Sequence, residues 1–210
     1  MPDETALIAG ASGLVGSHLL SLLLETYGRV ISIGRRRLDI SNPRLDQRVV
    51  DFEKLPDLNA PPDVYCTLGT TIRLAGSQAA SRIIEHDYPL NLARQVAAAG
   101  SKQFLLVSAV GSDRRSSNAY LRTKGELEDA LAALPFRSLH IFQPSFLIGK
   151  RAETRPGEKI GIAIATMVAP LLIGGLRKYR AVPAAAVADA MLAAARRAEP
   201  GRHFYSYDQF

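Results

Sequence analysis

The 210-residue chain reads as an α/β protein on a doubly wound parallel sheet, three layers deep, with a small C-terminal cap. Three observations predict this. Short apolar runs rich in β-branched residues alternate with longer stretches of helical periodicity. The runs are apolar nearly throughout, as strands covered by helices on both faces must be. A glycine-rich turn joins the first run to the first helical stretch. No repeat, low-complexity linker or shift in composition marks a boundary, so residues 1–210 are expected to form one domain.

Strands are predicted over Thr5–Ala9, Val30–Ile33, Arg48–Asp51, Val64–Leu68, Phe104–Ser108 and Ser138–Phe142, with a last short one over His203–Tyr207. Helices are predicted over Leu14–Tyr27, over Ala79–Ala99 with a bend near Pro89, over Ser117–Leu134 and over Ala184–Arg197. Ile160–Leu176 is apolar and bounded by charges, Glu158-Lys159 before it and Arg177-Lys178 after it. At 1.5 Å per residue it reaches about 25 Å, short of the roughly 30 Å hydrocarbon core, and Pro170 and Gly174-Gly175 interrupt it. It is therefore read as a buried helix or pocket lid and not as a stable membrane insertion; a homodimer face and a membrane-surface contact are the alternatives.

Apolar residues make up 47% and charged residues 22% of the chain, which excludes a disordered or fibrous protein. The net charge of +6 comes from scattered bases, with one cluster at Arg35-Arg36-Arg37. A nucleic-acid binder would show a denser basic stripe with aromatic platforms, so the surplus is assigned to a small phosphorylated ligand. Cys66, the single cysteine, cannot form an intramolecular disulfide, and Pro2-Asp3-Glu4 is unlike a secretion signal. Both point to reducing cytoplasm. Cys66 lies in an apolar run and is read as a core thiol, and no metal-ligand pattern is present.

The turn after the first strand is Gly10-Ala11-Ser12-Gly13-Leu14-Val15-Gly16. Glycine at Gly10 permits the tight turn, at Gly13 lets the backbone approach a pyrophosphate, and at Gly16 allows the helix to pack on the sheet. The helix N-terminus offers unpaired N–H groups to the phosphates. At the end of the second strand an acid would hold the ribose of NAD. Here Arg35 and Arg36 stand instead, and a guanidinium fork matches the 2′-phosphate of NADP(H). Asp51 and Phe52, at the end of the third strand, are either adenine contacts or loop anchors, and Leu68 and Gly69 end the fourth strand beside the cofactor.

Ser108 closes the fifth strand, and Tyr120 and Lys124 share one face of the next helix. A Tyr hydroxyl is a poor acid or base near pKa 10, and an adjacent ammonium favours its phenolate. Ser108 at a strand's C-terminal end can orient a substrate oxygen, with Ser112 or Ser117 as the alternative hydroxyl. The expected activity is hydride transfer to or from a small carbonyl or alcohol substrate with NADP(H), with Tyr120 as acid or base. The rival is an NADPH-binding regulatory or sensing module without turnover.

These motifs resemble the short-chain dehydrogenase/reductase superfamily in order and spacing. Ile33-Gly34-Arg35-Arg36, Val50-Asp51-Phe52-Glu53-Lys54-Leu55, Cys66-Thr67-Leu68-Gly69-Thr70-Thr71, Tyr120 through Glu126 and Arg155-Pro156-Gly157-Glu158 are similar to the Tat-interactive-protein group of its atypical members. That resemblance implies an NADPH-binding Rossmann domain in which Lys124 also holds the nicotinamide ribose. The group often has Arg-Pro after the sixth strand where this chain has Gln143-Pro144, which removes a charge from the substrate end. The short stretch after Gln143 disfavours a sugar-nucleotide epimerase.

Overall fold

Leu7 and Ala9 of the first strand point into one hydrophobic cluster, Ala6 and Ile8 into another, and that period of two organises the molecule. The structure is a computed structural model that describes residues 4–59, 61–149 and 173–210. Strands β1 (Thr5–Ala9), β2 (Arg29–Gly34), β3 (Leu45–Val49), β4 (Asp63–Cys66), β5 (Gln103–Val107), β6 (Ser138–Phe142) and β9 (Gly201–Tyr205) form one parallel sheet in the order 3-2-1-4-5-6-9. A two-stranded ribbon of β7 (Leu147–Ile148) and β8 (Val182–Pro183) lies outside it.

Helices α1 (Leu14–Thr26) and α6 (Ala184–Arg197) pack together on the face that receives Ala6 and Ile8. The opposite face carries α4 (Tyr88–Ala98) and α5 (Ala119–Ala132), with Leu92, Val96, Leu127 and Leu131 fully buried. The connections leave β1 in opposite directions, toward β2 on one side and β4 on the other. This switch point opens a crevice above the C-terminal strand ends.

The differences from the predicted elements have local causes. β3 starts earlier than expected and stops at Val49, since this edge strand carries Asp46, Gln47 and Arg48 and shows no apolar run. Its polar face is tied by Asp46, which accepts from Arg29 at 2.7 Å and from Arg48 at 2.9 Å. β4 ends at Cys66, although the Thr67 N–H still donates to Ala9 O at 2.9 Å. β9 runs over Gly201–Tyr205, in register with Ser138–Phe142, and not over His203–Tyr207.

The single helix predicted over Ala79–Ala99 is α3 (Gln78–Arg82), a π turn (Ile83–Asp87) and α4. Pro89 has no N–H to give Glu85 O, and the ladder adjusts one turn earlier, where Tyr88 N–H donates to Ile83 O. A short α2 (Ile72–Ala75) precedes it, capped by the Thr71 side chain. α5 starts at Ala119 because Asn118 Oδ1 accepts from the N–H of Tyr120 at 2.9 Å and of Leu121 at 3.2 Å. Arg155–Glu158 and most of the apolar segment lie outside the described residues; its end, Gly174–Leu176, belongs to an exposed 3-10 turn, Gly174–Tyr179. Among the described residues no helix is long and apolar enough to cross a membrane.

Candidate functional site

A cleft of about 440 Å³ lies over the switch point, within the size range of small-molecule sites. The turn Gly10–Gly13 forms its floor, Ser32 to Arg36 one wall, and Phe52, Thr67 to Gly69, Ile84 and Tyr88 the rest. Gly10 has φ +92°, and a Cβ there would meet Thr67 O at 2.7 Å. At Gly16 a Cβ would meet Gly10 O at 2.2 Å, so two of the three glycines are required by the chain's own packing. Gly13 is different. It lines the cleft, and its Cβ would stand 3.1 Å from Gly10 O, narrowing the cradle. α1 starts there with no side-chain cap, which leaves the first N–H groups of the helix available to an anion. The floor fits a pyrophosphate.

Leu14 and Val15 contribute backbone only, since their side chains are buried in the core against α6, whereas Ala11 and Ser12 line the cleft. Arg35 and Arg36 are exposed on its β2 wall. Phe52 is buried and stacks on Tyr88 with ring centres 5.3 Å apart, forming an aromatic wall. Asp51 is exposed, its Oδ1 accepts from Glu53 N–H at 2.9 Å and so anchors the loop, and its charge acts on Tyr88 of the cleft wall.

On the far side of Gly69 a polar cluster continues from the cleft wall. Lys124 Nζ lies 2.7 Å from Glu85 Oε2, and both side chains are 2% exposed. Glu85 Oε1 accepts from Thr70 N–H at 2.5 Å, and Lys124 also donates to Val107 O at 3.4 Å. Burial alone would push the Lys124 ammonium down, but Glu85, Tyr120 and Cys66 reverse the sign and hold it above its ordinary value. Tyr120 departs from the simple expectation. Desolvation raises its phenol above the usual value, Lys124 pulls it down, and Glu85 pushes it up again, so the neighbouring ammonium does not win.

Ser108 is buried just past β5 and donates to Glu128 Oε1, a short contact, with Ser112 Oγ 3.2 Å away. Glu128 also accepts from Gln143 Nε2 at 3.1 and 3.0 Å. Burial raises its carboxyl above the ordinary range, against hydrogen bonds from Ser108, Gln143 and Ser112 that lower it. The structure thus brings Tyr120 and Lys124 to one cluster and Ser108 to a second, on the same helix. Ser117 is exposed on the preceding loop. Buried Cys66 has its thiol pushed up to about 11, the state of a core residue.

Glu85, Glu128 and Tyr88 escaped the sequence reading. Glu128 had a signal, since it follows Lys124 by one helical turn and continues the Tyr120 face. Glu85 and Tyr88 had none, because only the fold brings their segment against α5 and the cleft.

Residues 30–172 match the HIM1 family model. The chain belongs to the HIM1 family. Its relatives include the protein HTATIP2 of Rattus norvegicus, 42% identical over 168 residues that cover 75% of this chain and 69% of that one. Another is the mitochondrial protein fmp52 of Aspergillus fumigatus, 32% identical over 206 residues, 92% of this chain and 88% of that one. The resemblance to the Tat-interactive-protein group therefore holds. Two solved structures share the fold at TM-score 0.73: MoeE5 in complex with UDP-glucuronic acid and NAD (17% identity; 95% of this chain, 75% of that one) and Bordetella bronchiseptica WbmH in complex with NAD+ (16%; 97% and 75%). This HIM1-family chain accordingly has a Rossmann-type fold. The cytoplasmic expectation is overturned by relatives from Aspergillus and Candida that are named mitochondrial proteins. One buried thiol does not distinguish one reducing compartment from another.

Proposed function

We propose that this HIM1-family chain is an NADP(H)-dependent oxidoreductase that moves hydride to or from a small carbonyl or alcohol substrate. One observation carries the reading: a single cleft has a glycine cradle as its floor and Arg35 and Arg36 on one wall, and its Gly69 wall leads directly to the Glu85–Lys124–Tyr120 cluster. NAD in the solved neighbours supports the coarser choice of a nicotinamide dinucleotide, and the two guanidinium groups support NADP(H).

When bound, the reduced dinucleotide supplies the hydride. The α1 N-terminus and Gly13 hold the diphosphate, Arg35 and Arg36 the 2′-phosphate, and Leu68, Gly69 and Phe52 bound the space for the rings. Lys124 has three N–H groups; Glu85 and Val107 O take two and leave one for a ribose hydroxyl. Tyr120, held in its protonated form, is the acid that delivers a proton to the carbonyl oxygen as the carbon receives hydride. Ser108 orients that oxygen through Oγ.

A non-catalytic NADPH-binding module is the second reading, favoured by the fact that Ser108 and Lys124 already have buried partners. A screen of carbonyl compounds in single-turnover NADPH oxidation, with Arg35→Ala and Tyr120→Phe, separates the two. The oxidoreductase reading expects NADPH to bind at least about tenfold more tightly than NADH, with Arg35→Ala erasing most of that preference. It expects Tyr120→Phe to keep NADPH affinity while reduction falls by about 10² or more. Equal cofactor affinities, or undiminished reduction by Tyr120→Phe, overturn the respective assignments, and binding without turnover of any compound favours the module.

A further inference from the structure

The Glu85–Lys124 pair is costly to build. Both groups are 2% exposed, and an ion pair so far from solvent loses in desolvation much of what it gains in attraction, so it is weak as a source of stability. The backbone is nonetheless shaped to deliver it. Glu85 sits in the middle of the π turn Ile83–Asp87, which packs against α5, the helix that carries Lys124. Such turns recur at functional sites because the added residue redirects a side chain. The preceding residue, Ile84, lines the cleft.

The other carboxylate oxygen is held as firmly. Oε1 accepts from the N–H of Thr70, and the carboxylate lies directly against the Gly69 wall, where a Cβ would meet Oε1 at an ordinary contact of 3.5 Å. The carboxylate is therefore fixed from β4's end on one side and from α5 on the other. Charged or titratable groups acting on Lys124 are Glu85 from the π turn, Tyr120 and Glu128 from α5 and Cys66 from β4; those acting on Tyr120 are Lys124 and Glu85.

We propose that Glu85 is a positioning residue that holds Lys124 Nζ behind the Gly69 wall of the cleft and neutralises it, so that Tyr120 faces an ion pair and not a free cation. A free ammonium would draw the proton off the phenol and favour a base; an ion pair leaves it on and favours a proton donor. The site is thus set for the reductive direction before a ligand arrives. The catalytic consequence rests on the proposed role of Tyr120 as proton donor, whereas the charge balance itself does not.

The test is a charge cycle read without turnover. Phenolate absorbance is titrated in the unmutated protein, in Glu85→Gln, in Lys124→Met and in the double variant, each against its Tyr120→Phe counterpart to isolate one tyrosine among 7. Tyr120 should ionise at least about tenfold more readily in Glu85→Gln, one pKa unit lower. It should move the opposite way in Lys124→Met and return near its starting value in the double variant. Glu85→Asp, which keeps the charge, should restore most of the shift. If burying one unpaired charge prevents either single variant from folding, the double variant decides, since neither charge remains to be orphaned. A double variant far from the unmutated value, or a Glu85→Gln titration that does not move, overturns the proposal. A carbonyl-reduction assay on Tyr120→Phe is separate: full turnover there removes the catalytic role of Tyr120 and leaves the titration result for Glu85 standing.

Discussion

Replacing Gly125 by Ala tests whether α5 is seated as closely as the structure places it. In an open helix the change would stabilise by about 0.5–1 kcal/mol, because glycine loses more backbone freedom on folding. Here a Cβ would stand 2.3 Å from Arg114 N and 2.4 Å from Asp113 C. These are backbone atoms and cannot rotate away, so the 113–114 segment or the helix must move by about 1 Å to reach ordinary contact, at an overpacking cost of about 1–3 kcal/mol. The clash outweighs the propensity gain. A net loss of about 1–2 kcal/mol lowers the melting temperature of a chain this size by roughly 2–8 °C. The displaced segment also borders Ser112, whose Oγ is 3.2 Å from Ser108 Oγ, so any reductase activity should fall with the melting point. Differential scanning calorimetry and the single-turnover assay measure the two effects. A Gly125→Ala variant that melts at or above the unmutated protein would show that α5 does not lie against the 113–114 backbone.

Two pH effects follow from buried titratable groups. His140 is fully buried, with Nε2 unpartnered and Nδ1 3.0 Å from Tyr205 OH; burial holds it down to about 4 from 6.5, so the unfolded chain protonates first. Its contribution is complete above about pH 6.5 and is lost as pH falls toward 4, roughly 3 kcal/mol in all, and urea titrations of His140→Gln across that window should lack this loss. Glu128 runs the other way: burial raises its folded value, so the folded state keeps the proton longer and stability declines as pH rises through the carboxylate range. Glu128→Gln should flatten that slope and change how Ser108 is held; an unchanged slope in the same denaturation series counts against burial as the cause.

The parts legible in the sequence are those fixed by local periodicity and turn chemistry. Gly10 and Gly16 could be placed because a tight turn off a buried strand admits only glycine there, and the structure gives the steric reason in Thr67 O and Gly10 O. Tyr120 and Lys124 could be placed because their spacing puts them on one helical face. β3 was misplaced because, as an edge strand with a polar face, it carries little hydrophobic signal. The π turn was legible only as a bend near Pro89, since proline announces a lost hydrogen bond but not how the ladder is repaired. Glu85 was invisible because its partners, Thr70 and Lys124, lie on other segments. The substitution of Gln143 for an arginine was visible as a missing charge, but its meaning was not: the amide is engaged by both oxygens of Glu128.

The two ends of the cleft carry their charge differently. Arg35 and Arg36 are exposed on its wall, where water and salt screen them until an anion binds, so this is the end at which ionic strength acts. At the other end the one lysine is buried and already faces the carboxylate of Glu85, while Glu128, one turn along the same helix, is solvated by Ser108 and Gln143. In the proposed function, attraction for a phosphorylated cofactor and control of a proton would thereby be separated along a single crevice, the first on solvent-facing arginines and the second beside a buried ion pair. The division follows from topology. The β2 end of the sheet has only the edge strand β3 beyond it, whereas past β4 and at the end of β5 the chain is tied to the π turn and α5 by Thr70 N–H to Glu85 and by Lys124 to Val107 O, so the groups there are desolvated and set by their neighbours.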